Sequence, residues 1–355
     1  MPQVWRNNLA VDVKLPWGMV GTLEGIYSKN INDVVQYNAN LKDSTTNFVG
    51  ADNREKYIVN KINSSVSSAM VLTNTNQGYS YSVTAQLSKE FDNGFSGFVA
   101  YTHFGAKDMT SNPGSAAQSA WSSNPSVANQ NYPGLSYSSF AIPSRIVGSI
   151  TYSKEYAKHL KTSVSLFYQG SSQGRLDYIY SNYMNGDGNA ADLMYIPKDA
   201  SEIVFDAIPP KGDFKGFTSE DQSVAFWSYV DQDKYLSSHK GQYAERYGVI
   251  MPWLNRFDVK VLQDVFTKIG KDKHSLQISL DLLNVGNLLS SNWGIAQKQT
   301  LGSYDITLLK YTKAVAGVPH YTMNYTGTAL PTSTYQPVLT TQSTWGAQVG
   351  IRYTF

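Results

Sequence analysis

Two segments and one residue type could in principle support nucleotide or metal chemistry. The segment 186–191, Gly-Asp-Gly-Asn-Ala-Ala, fits the Gly-x-Gly-x-x-Ala pattern of dinucleotide loops. No strand, turn and helix unit is predicted around it, and Asp187 would face a phosphate, so we reject a nucleotide site. The histidines are His103, His159, His239, His274 and His320. None has the spacing of metal ligands, and we expect exposed histidines in loops or at the rim.

The segment 183–194 is similar to a calcium loop because it carries Asp187 and Asp192 among asparagines and glycines. Tyr183 stands where the first acidic ligand belongs, and Met194 occupies the twelfth position. We therefore expect a hydrogen-bonded turn, and calcium binding at this loop stays open until calorimetry tests it. The chain also lacks cysteine and has no Gly-x-Ser-x-Gly motif, so we expect no enzyme and no cofactor.

A short helix with an aromatic face is predicted after Thr218, which can cap it together with Asp221. The candidates for an extracellular lid or for substrate contacts are Phe226, Trp227, Tyr229 and Tyr235. Such rings could stack on a saccharide or hold a peptide, but packing within a lid is the commoner role.

The elements that must position these residues are strands, because apolar and polar residues alternate along many segments. The clearest run begins at Tyr79 and reaches Leu87, and the turn 92–94, Asp-Asn-Gly, joins it to a second run from Phe95 to Tyr101. The last run extends from Trp345 to Phe355. Nine strands of roughly 9 to 12 residues are predicted, a length typical of bilayer-crossing strands.

The predicted connections alternate between short and long. Short turns are expected at Pro16–Gly18, Phe91–Gly94, Ser153–His159 and Thr267–Lys273. Long polar stretches are expected at Asn30–Gly78, Phe104–Pro143, Gly170–Leu254 and Val285–Gln342. Outer-membrane barrels combine short periplasmic turns with long extracellular loops in this way, whereas compact soluble domains rarely do.

Composition agrees with a β-rich chain and excludes other classes. Of 355 residues, 16% are charged and 13% aromatic, and the net charge of +2 offers no broad basic field for nucleic acid. No apolar run approaches the roughly 20 residues of a membrane helix. The first residues, from Met1 to Arg6, lack the pattern of a secretory signal.

Nine strands are an odd number, whereas bacterial barrels with both termini in the periplasm have even numbers. The sequence therefore predicts an all-β fold, an antiparallel transmembrane β-barrel that is partial, with about nine or ten strands of a larger barrel. A secreted multi-sheet β-protein with insertions is the alternative from pattern alone.

Several motifs resemble those of TonB-dependent outer-membrane transporters, and the Oar-like group fits best. They are Tyr-Ala-Glu-Arg-Tyr-Gly at 243–248 with Met-Pro-Trp-Leu-Asn-Arg-Phe-Asp at 251–258, Leu-Leu-Asn-Val-Gly-Asn-Leu-Leu at 282–289 with Trp-Gly at 293–294, Asn-Gly-Asp-Gly at 185–188 with Tyr-Ile-Pro at 195–197, and Ile-Pro-Ser-Arg at 142–145. The resemblance extends from about Asn76 to Phe355.

This resemblance implies that residues 1–355 are the C-terminal part of a barrel of about 22 strands, and that the barrel lies in the outer membrane of a Gram-negative bacterium. It also implies active uptake of an unidentified substrate, energised by TonB through an N-terminal plug. We expect the plug and the signal peptide to be absent from these residues.

The last residues resemble the β-signal that the barrel-assembly machinery reads. The residues that carry this match are Gln348, Gly350, Tyr353 and Phe355. A plain last strand with an aromatic girdle residue is the alternative, and both interpretations place the segment in lipid.

Two rival functions remain at this point. A passive porin or adhesin-like barrel would lack a plug, and a soluble β-rich carbohydrate-binding protein would fractionate without detergent. The substrate, the oligomeric state and any surface lipoprotein partner stay open.

Overall fold

Nine long strands of one antiparallel sheet form the framework of the protein in a computed structural model, which describes residues 1–269, 272–341 and 343–355. They are β1 (Gln3–Lys14), β2 (Met19–Asn38), β3 (Tyr79–Glu90), β4 (Phe95–Asp108), β5 (Ser144–Tyr156), β6 (Leu160–Ser172), β7 (Trp253–Ile269), β8 (Asp272–Leu283) and β9 (Gly346–Thr354). Each pairs with the next along the chain. The predicted antiparallel all-β class is confirmed.

Short turns connect the strands at one end of the sheet, here called the turn end. A one-turn 3-10 helix, Pro16–Gly18, joins β1 to β2. Gly94, between β3 and β4, has a φ of +90°, and a Cβ there would lie 2.3 Å from the carbonyl oxygen of Ser153, so only glycine fits. Most of the turn predicted at Thr267–Lys273 belongs to the strands, because β7 ends at Ile269 and β8 begins at Asp272. Residues 270 and 271 between them lie outside the described residues.

The sheet is open within the part of the chain that the structure describes. β1 pairs only with β2 at one edge, and β9 pairs only with β8 at the other. Because the strands alternate in direction and nine is odd, β1 and β9 run the same way. These nine strands therefore do not close into a barrel among themselves, and the larger barrel of which the sequence predicts them to be a part stays a prediction.

The four long connections fold together at the opposite end, here called the loop end, and form what we call the loop layer, residues 39–78, 109–143, 173–252 and 284–345. Its helices are α1 (Ala117–Ser122), α2 (Ser219–Gln232), α3 (Lys234–Ser238) and α4 (Val285–Leu289), with a 3-10 turn at Ala200–Glu202. Its short strands are Thr46–Asn47, Glu55–Lys56, Met70–Thr75, Ser136–Tyr137, Arg175–Leu176, Tyr195–Ile196, Val204–Phe205, Gln242–Tyr243, Val249–Ile250, Gln297–Gln299, Leu309–Val315, Val318–Met323 and Tyr335–Pro337. Residue 342 of the fourth predicted stretch lies outside the described residues.

The hydrophobic core of the protein lies in the loop layer, not against the long sheet. Tyr178, Ile196, Phe226, Leu236 and Ile306 have no exposed surface and belong to one cluster of buried side chains. This cluster draws on the third and fourth long connections together with Phe48 from the first. The loops therefore bury their own apolar residues, which is the main stabilising term for a folded unit of this kind.

Helix α2 is built as its sequence predicts. The Thr218 hydroxyl accepts a hydrogen bond from the Asp221 amide, and the Asp221 carboxylate accepts one from the Thr218 amide. This reciprocal cap satisfies amides that a helix start otherwise leaves unpaired. Phe226, Tyr229 and Val230 then face the core.

A buried arginine connects the first long connection to the third. Arg54 Nε lies 2.8 Å from Asp52 Oδ1, and Arg54 Nη2 donates to the carbonyl of Leu193 at 2.7 Å. Its guanidinium also lies 3.8 Å from Asp192 and 4.9 Å from the ring centre of Tyr180. Burial is the largest single effect and lowers the pKa of Arg54, but Asp52, Tyr180 and Asp192 together outweigh it, and the pKa is raised overall.

Asp52 is held by more than Arg54. The hydroxyls of Tyr180 and Tyr321 donate to its Oδ2 atom at 2.9 and 3.1 Å, and Tyr243 donates to Oδ1 at 3.1 Å. A buried carboxylate and a buried guanidinium are stable only when both are paired in this way.

Replacing this arginine should loosen the loop layer. Arg54→Met leaves Asp52 and Asp192 buried without their cation, and we expect a loss of about 3 to 5 kcal/mol in the opening free energy of this layer. The matched control, Lys240→Met, breaks an exposed 2.9 Å ion pair with Asp231 and should cost about 1 kcal/mol or less. Hydrogen exchange at the amides of 192–196 measures both, and equal effects would contradict this account.

Candidate functional site

One side of the long sheet, here called the polar face, carries side chains that bond to each other across the strands. The hydroxyls of Thr84 and Thr102 lie 2.9 Å apart, and Lys260 Nζ lies 2.9 Å from Asp281 Oδ1. Further pairs on the same face are Asp12 with Thr22, Thr151 with Ser165, Ser153 with Ser163 and Asp264 with Gln277. These pairs bond to each other across the strands, and the face suits contact with water or a polar partner.

The opposite side, here called the apolar face, is uncovered. Its residues include Leu9, Val11, Leu23, Val83, Leu87, Val99, Ile150, Val164, Leu166, Val265, Ile278, Leu280, Val349 and Ile351, each between 36% and 74% exposed. The strand pairings set these side chains next to each other, as Val11 with Leu23 and Ile278 with Ile351 show. An apolar patch of this size on a protein surface indicates a contact with something other than water.

Charge is segregated between the two faces. In the part of the apolar face whose side chains the structure describes, Asp33, near the loop end of β2, is the one acidic residue on the strands, and the ammonium groups lie at the ends. Lys89 and Lys154 lie at the turn end, and Lys29 and Lys107 at the loop end.

Aromatic rings also gather at the two ends of the apolar face. At the turn end, Phe95 and Tyr152 have ring centres 4.6 Å apart, and Trp17 is 81% exposed. Tyr168 and Phe257, with centres 4.9 Å apart, lie nearer the loop end. Two aromatic bands that flank an apolar band are typical of membrane interfaces.

The predicted lid residues all lie in α2 or α3, but they differ in exposure. Phe226 and Tyr229 are completely buried in the core of the loop layer. Trp227 and Tyr235 are half-buried and pack against that core. Contact with a ligand in this conformation is therefore restricted to Trp227 and Tyr235, and the other two rings hold the helix in place.

Tyr235 borders a cavity of about 820 Å³ between α3, the start of β7 and the strand Tyr335–Pro337. Its ring stacks on that of Tyr178, with centres 6.1 Å apart, and on that of His239, with centres 4.1 Å apart. Its hydroxyl accepts a hydrogen bond from the Glu245 amide. Met251 and Pro252 add apolar surface to the wall of the cavity. Cavities of this size with mostly apolar walls commonly bind small ligands.

The two carboxylates that line this cavity differ in whether a ligand could reach them. Asp233 is buried and accepts hydrogen bonds from the hydroxyls of Tyr178 and Thr334 at 2.6 and 2.5 Å and from the amides of α3, so it is fully engaged. Glu245 is 44% exposed at the rim and lies 3.8 Å from His239 Nε2. His239 Nδ1 lies 3.0 Å from the Ser238 hydroxyl and 2.8 Å from the carbonyl oxygen of Tyr235. The arrangement offers a binding surface.

The segment 183–194 forms a turn stabilised by its own side chains. Asp187 Oδ1 accepts from the Asn189 amide at 2.8 Å, Asn185 Oδ1 accepts from the Asp187 amide at 2.9 Å, and Asp192 Oδ2 accepts from the Met184 amide at 2.9 Å. Among the described residues no group of three or more histidine or acidic side chains is placed to hold a metal ion. The geometry agrees with the hydrogen-bonded turn that the sequence favours.

A buried carboxyl group and a half-buried one form a pair that the sequence did not indicate. Asp177 has no exposed surface, and burial raises its pKa well above the usual range, with the neighbouring Asp305 adding to the effect. Burial also raises the pKa of Asp305 to about 6. The Tyr247 amide donates to Asp177, so the pair connects three parts of the loop layer that are far apart in sequence.

The predicted assembly residues lie on or next to the edge strand β9. Gln348 and Gly350 face the polar side, where a Cβ at position 350 would lie 2.6 Å from the Ser279 hydroxyl. Tyr353 and Phe355 face the apolar side at the turn end, with ring centres 5.9 Å apart, and His274 lies 2.6 Å from the Tyr353 hydroxyl. The four residues therefore lie on or next to one strand, β9, whose outer edge has no partner among the described strands.

None of the helices that the structure describes has the length and apolar character that a membrane-crossing helix requires.

The buried carboxyls predict that the loop layer is most stable in mild acid. Burial raises the pKa of Asp192 to about 7, although the Arg54 charge opposes this, and that of Asp187 to about 6. Because the folded state holds these protons more tightly than the unfolded chain, their contribution is complete below about pH 4 and is lost as pH rises through 6 to 7.

Hydrogen-exchange protection of 183–194, corrected for intrinsic rates, should therefore fall between pH 5 and pH 8. Asp192→Asn should flatten this dependence, whereas Asp231→Asn, at a side chain 67% exposed, should leave it unchanged. Protection that stays constant over this range, or rises with pH, would show that these carboxyls do not control the layer.

Comparison with known proteins found no matching family model, no matching curated protein and no matching solved structure.

Proposed function

We propose that this chain is the C-terminal barrel portion of a TonB-dependent outer-membrane transporter of the Oar-like group, which takes up an unidentified substrate across the outer membrane. The observation that carries the proposal is the apolar face, which no described part of the chain covers although the chain builds a well-buried core elsewhere. The motif resemblance at 185–197, 243–258 and 282–294 supplies the family.

Lipid is the solvent that best explains this face. Except along the outer edges of β1 and β9, the nine strands satisfy their backbone groups by pairing with one another. Such pairing is the condition for crossing hydrocarbon, where no water can bond to an exposed amide. Apolar side chains in the middle, aromatic rings at both ends and ammonium groups only at the ends follow the order of hydrocarbon, interface and headgroup.

The directions of the edge strands support a larger barrel. β1 and β9 run the same way, so an antiparallel closure between them needs an odd number of further strands. The family barrel, with about 22 strands, meets this condition because nine plus an odd number is even. The unpaired backbone of both edges would then bond to those strands.

In this proposal the loop layer is the extracellular end and the turn end is periplasmic. The loop layer would act as a wall and lid over the barrel, with the cavity beside Tyr235 as its candidate contact for substrate. TonB would act through a plug region that precedes these strands. The barrel-assembly machinery would recognise the free edge of β9 through Gln348, Gly350, Tyr353 and Phe355.

Fractionation of the source cells tests the proposal directly. An antibody to the loop 199–215 should detect a band in the outer membrane well above 39.3 kDa, because the plug and the other strands add mass. An outer-membrane band at 39.3 kDa would instead indicate a passive porin or adhesin-like barrel. Release without detergent would contradict both and favour a soluble β-rich protein.

Charge placed on the two faces should have unequal effects. Val83→Lys puts an ammonium on the apolar face and should cost roughly 2 to 4 kcal/mol near the bilayer midplane. Thr84→Lys, the matched control on the polar face, loses only the bond to Thr102 and should cost about 1 kcal/mol. Refolding of the complete barrel into lipid vesicles or detergent measures both, and equal losses would contradict the assignment of the faces.

A further inference from the structure

We propose that the apolar face carries a phospholipid site at its turn end, formed by a glycine-floored groove for an acyl chain and by Lys89 for the phosphate. This inference rests on the proposed function, since it requires the face to lie in a bilayer. It goes further because it assigns one lipid molecule to one position on the barrel wall.

The groove is a depression of about 580 Å³ on the apolar face. Its apolar walls are Val11, Val13, Leu15, Leu23, Leu87, Val99 and Tyr101, from the neighbouring strands β1 to β4 and the turn after β1. Most of these side chains are at least one-third exposed, so the walls face outward and no described residue fills the space between them.

Gly21 creates the depression. It pairs with Val13 on one side and Leu87 on the other, so it lies at the centre of a row of apolar side chains. A Cβ at this position would lie 3.1 Å from Leu15 Cδ1 and 3.7 Å from Leu87 Cδ2. Any larger side chain would occupy the floor of the groove.

The positive charge that a phosphate headgroup requires lies near the turn end of the groove. Lys89 is two residues from Leu87 on the same face, about 7 Å along the strand, and its ammonium lies 4.3 Å from the ring centre of Phe91. The exposed ring of Trp17 marks the same level on the neighbouring turn. A phosphate at this height is complementary to the ammonium, and the acyl chain below it would enter the groove.

Two other features of the same face provide matched controls. Gly25 lies on the same strand and the same face as Gly21, but a Cβ there would meet nothing within 4 Å. Lys154 is a lysine on the same face at the same end, on β5, away from the groove.

The experiment is native mass spectrometry of the complete protein in mild detergent, titrated with phosphatidylglycerol or with uncharged diacylglycerol. The wild-type protein should hold one phosphatidylglycerol molecule at concentrations where further adducts are sparse. Gly21→Leu should weaken this first binding about tenfold or more for both lipids. Lys89→Gln should weaken it for phosphatidylglycerol but not for diacylglycerol.

Gly25→Leu and Lys154→Gln should leave the first binding unchanged. Equal adduct distributions in all variants would show a general lipid annulus and overturn the site. A protein dimer that Gly21→Leu disrupts would show that a second copy occupies the groove and would also overturn it. In either case the protein still needs detergent, so the proposed barrel survives, whereas a protein soluble without detergent would refute both.

Discussion

The rest of the structure depends on how the apolar face of the nine-stranded sheet is kept out of water. A sheet with one apolar side normally packs that side against a helix layer or a second sheet. Here the described helices and short strands gather in the loop layer, around a core that includes Phe226 and Leu236. The sheet is therefore a stable unit only where something other than this chain covers it, and we propose that lipid does so.

The same constraint explains the division of polar groups. Charged pairs such as Lys260 with Asp281 lie on the polar face, and the buried charges of Arg54, Asp52 and Asp192 lie in the loop layer. The loop layer can bury charge because each group has partners from other loops. That network holds the long polar connections in a single conformation. A lid or a ligand cavity requires such a fixed conformation.

The framework was predictable from sequence because it follows a local rule. Alternation with a period of two, as from Tyr79 to Leu87, predicts a strand and its faces from adjacent residues alone, and the nine strands and the turns at 16–18 and 91–94 agree with it. The turns predicted at 153–159 and 267–273 are shorter than expected, because β5 continues to Tyr156 and β7 to Ile269. The cap of α2 was predictable for the same reason, since Thr218 and Asp221 are three residues apart.

The loop layer was largely unpredictable because its contacts join distant residues without a period. Arg54 meets Leu193, 139 positions away, and Asp177 meets Tyr247, 70 positions away. The sequence placed Phe226 and Tyr229 on one helix face, but their complete burial depends on partners from other loops. Closure into a barrel likewise depends on further strands that would pair with the outer edges of β1 and β9.

The most direct test of the lipid-facing assignment is a nitroxide scan of residues 162–168 on β6 in the complete protein reconstituted in vesicles. The chain has no cysteine, so single cysteine substitutions give unambiguous labels on this part of the protein. Labels at Val164 and Leu166 should be accessible to oxygen and shielded from a water-soluble nickel complex, and labels at Ser163 and Ser165 should show the reverse. Equal access to the nickel complex at all four positions would contradict the account.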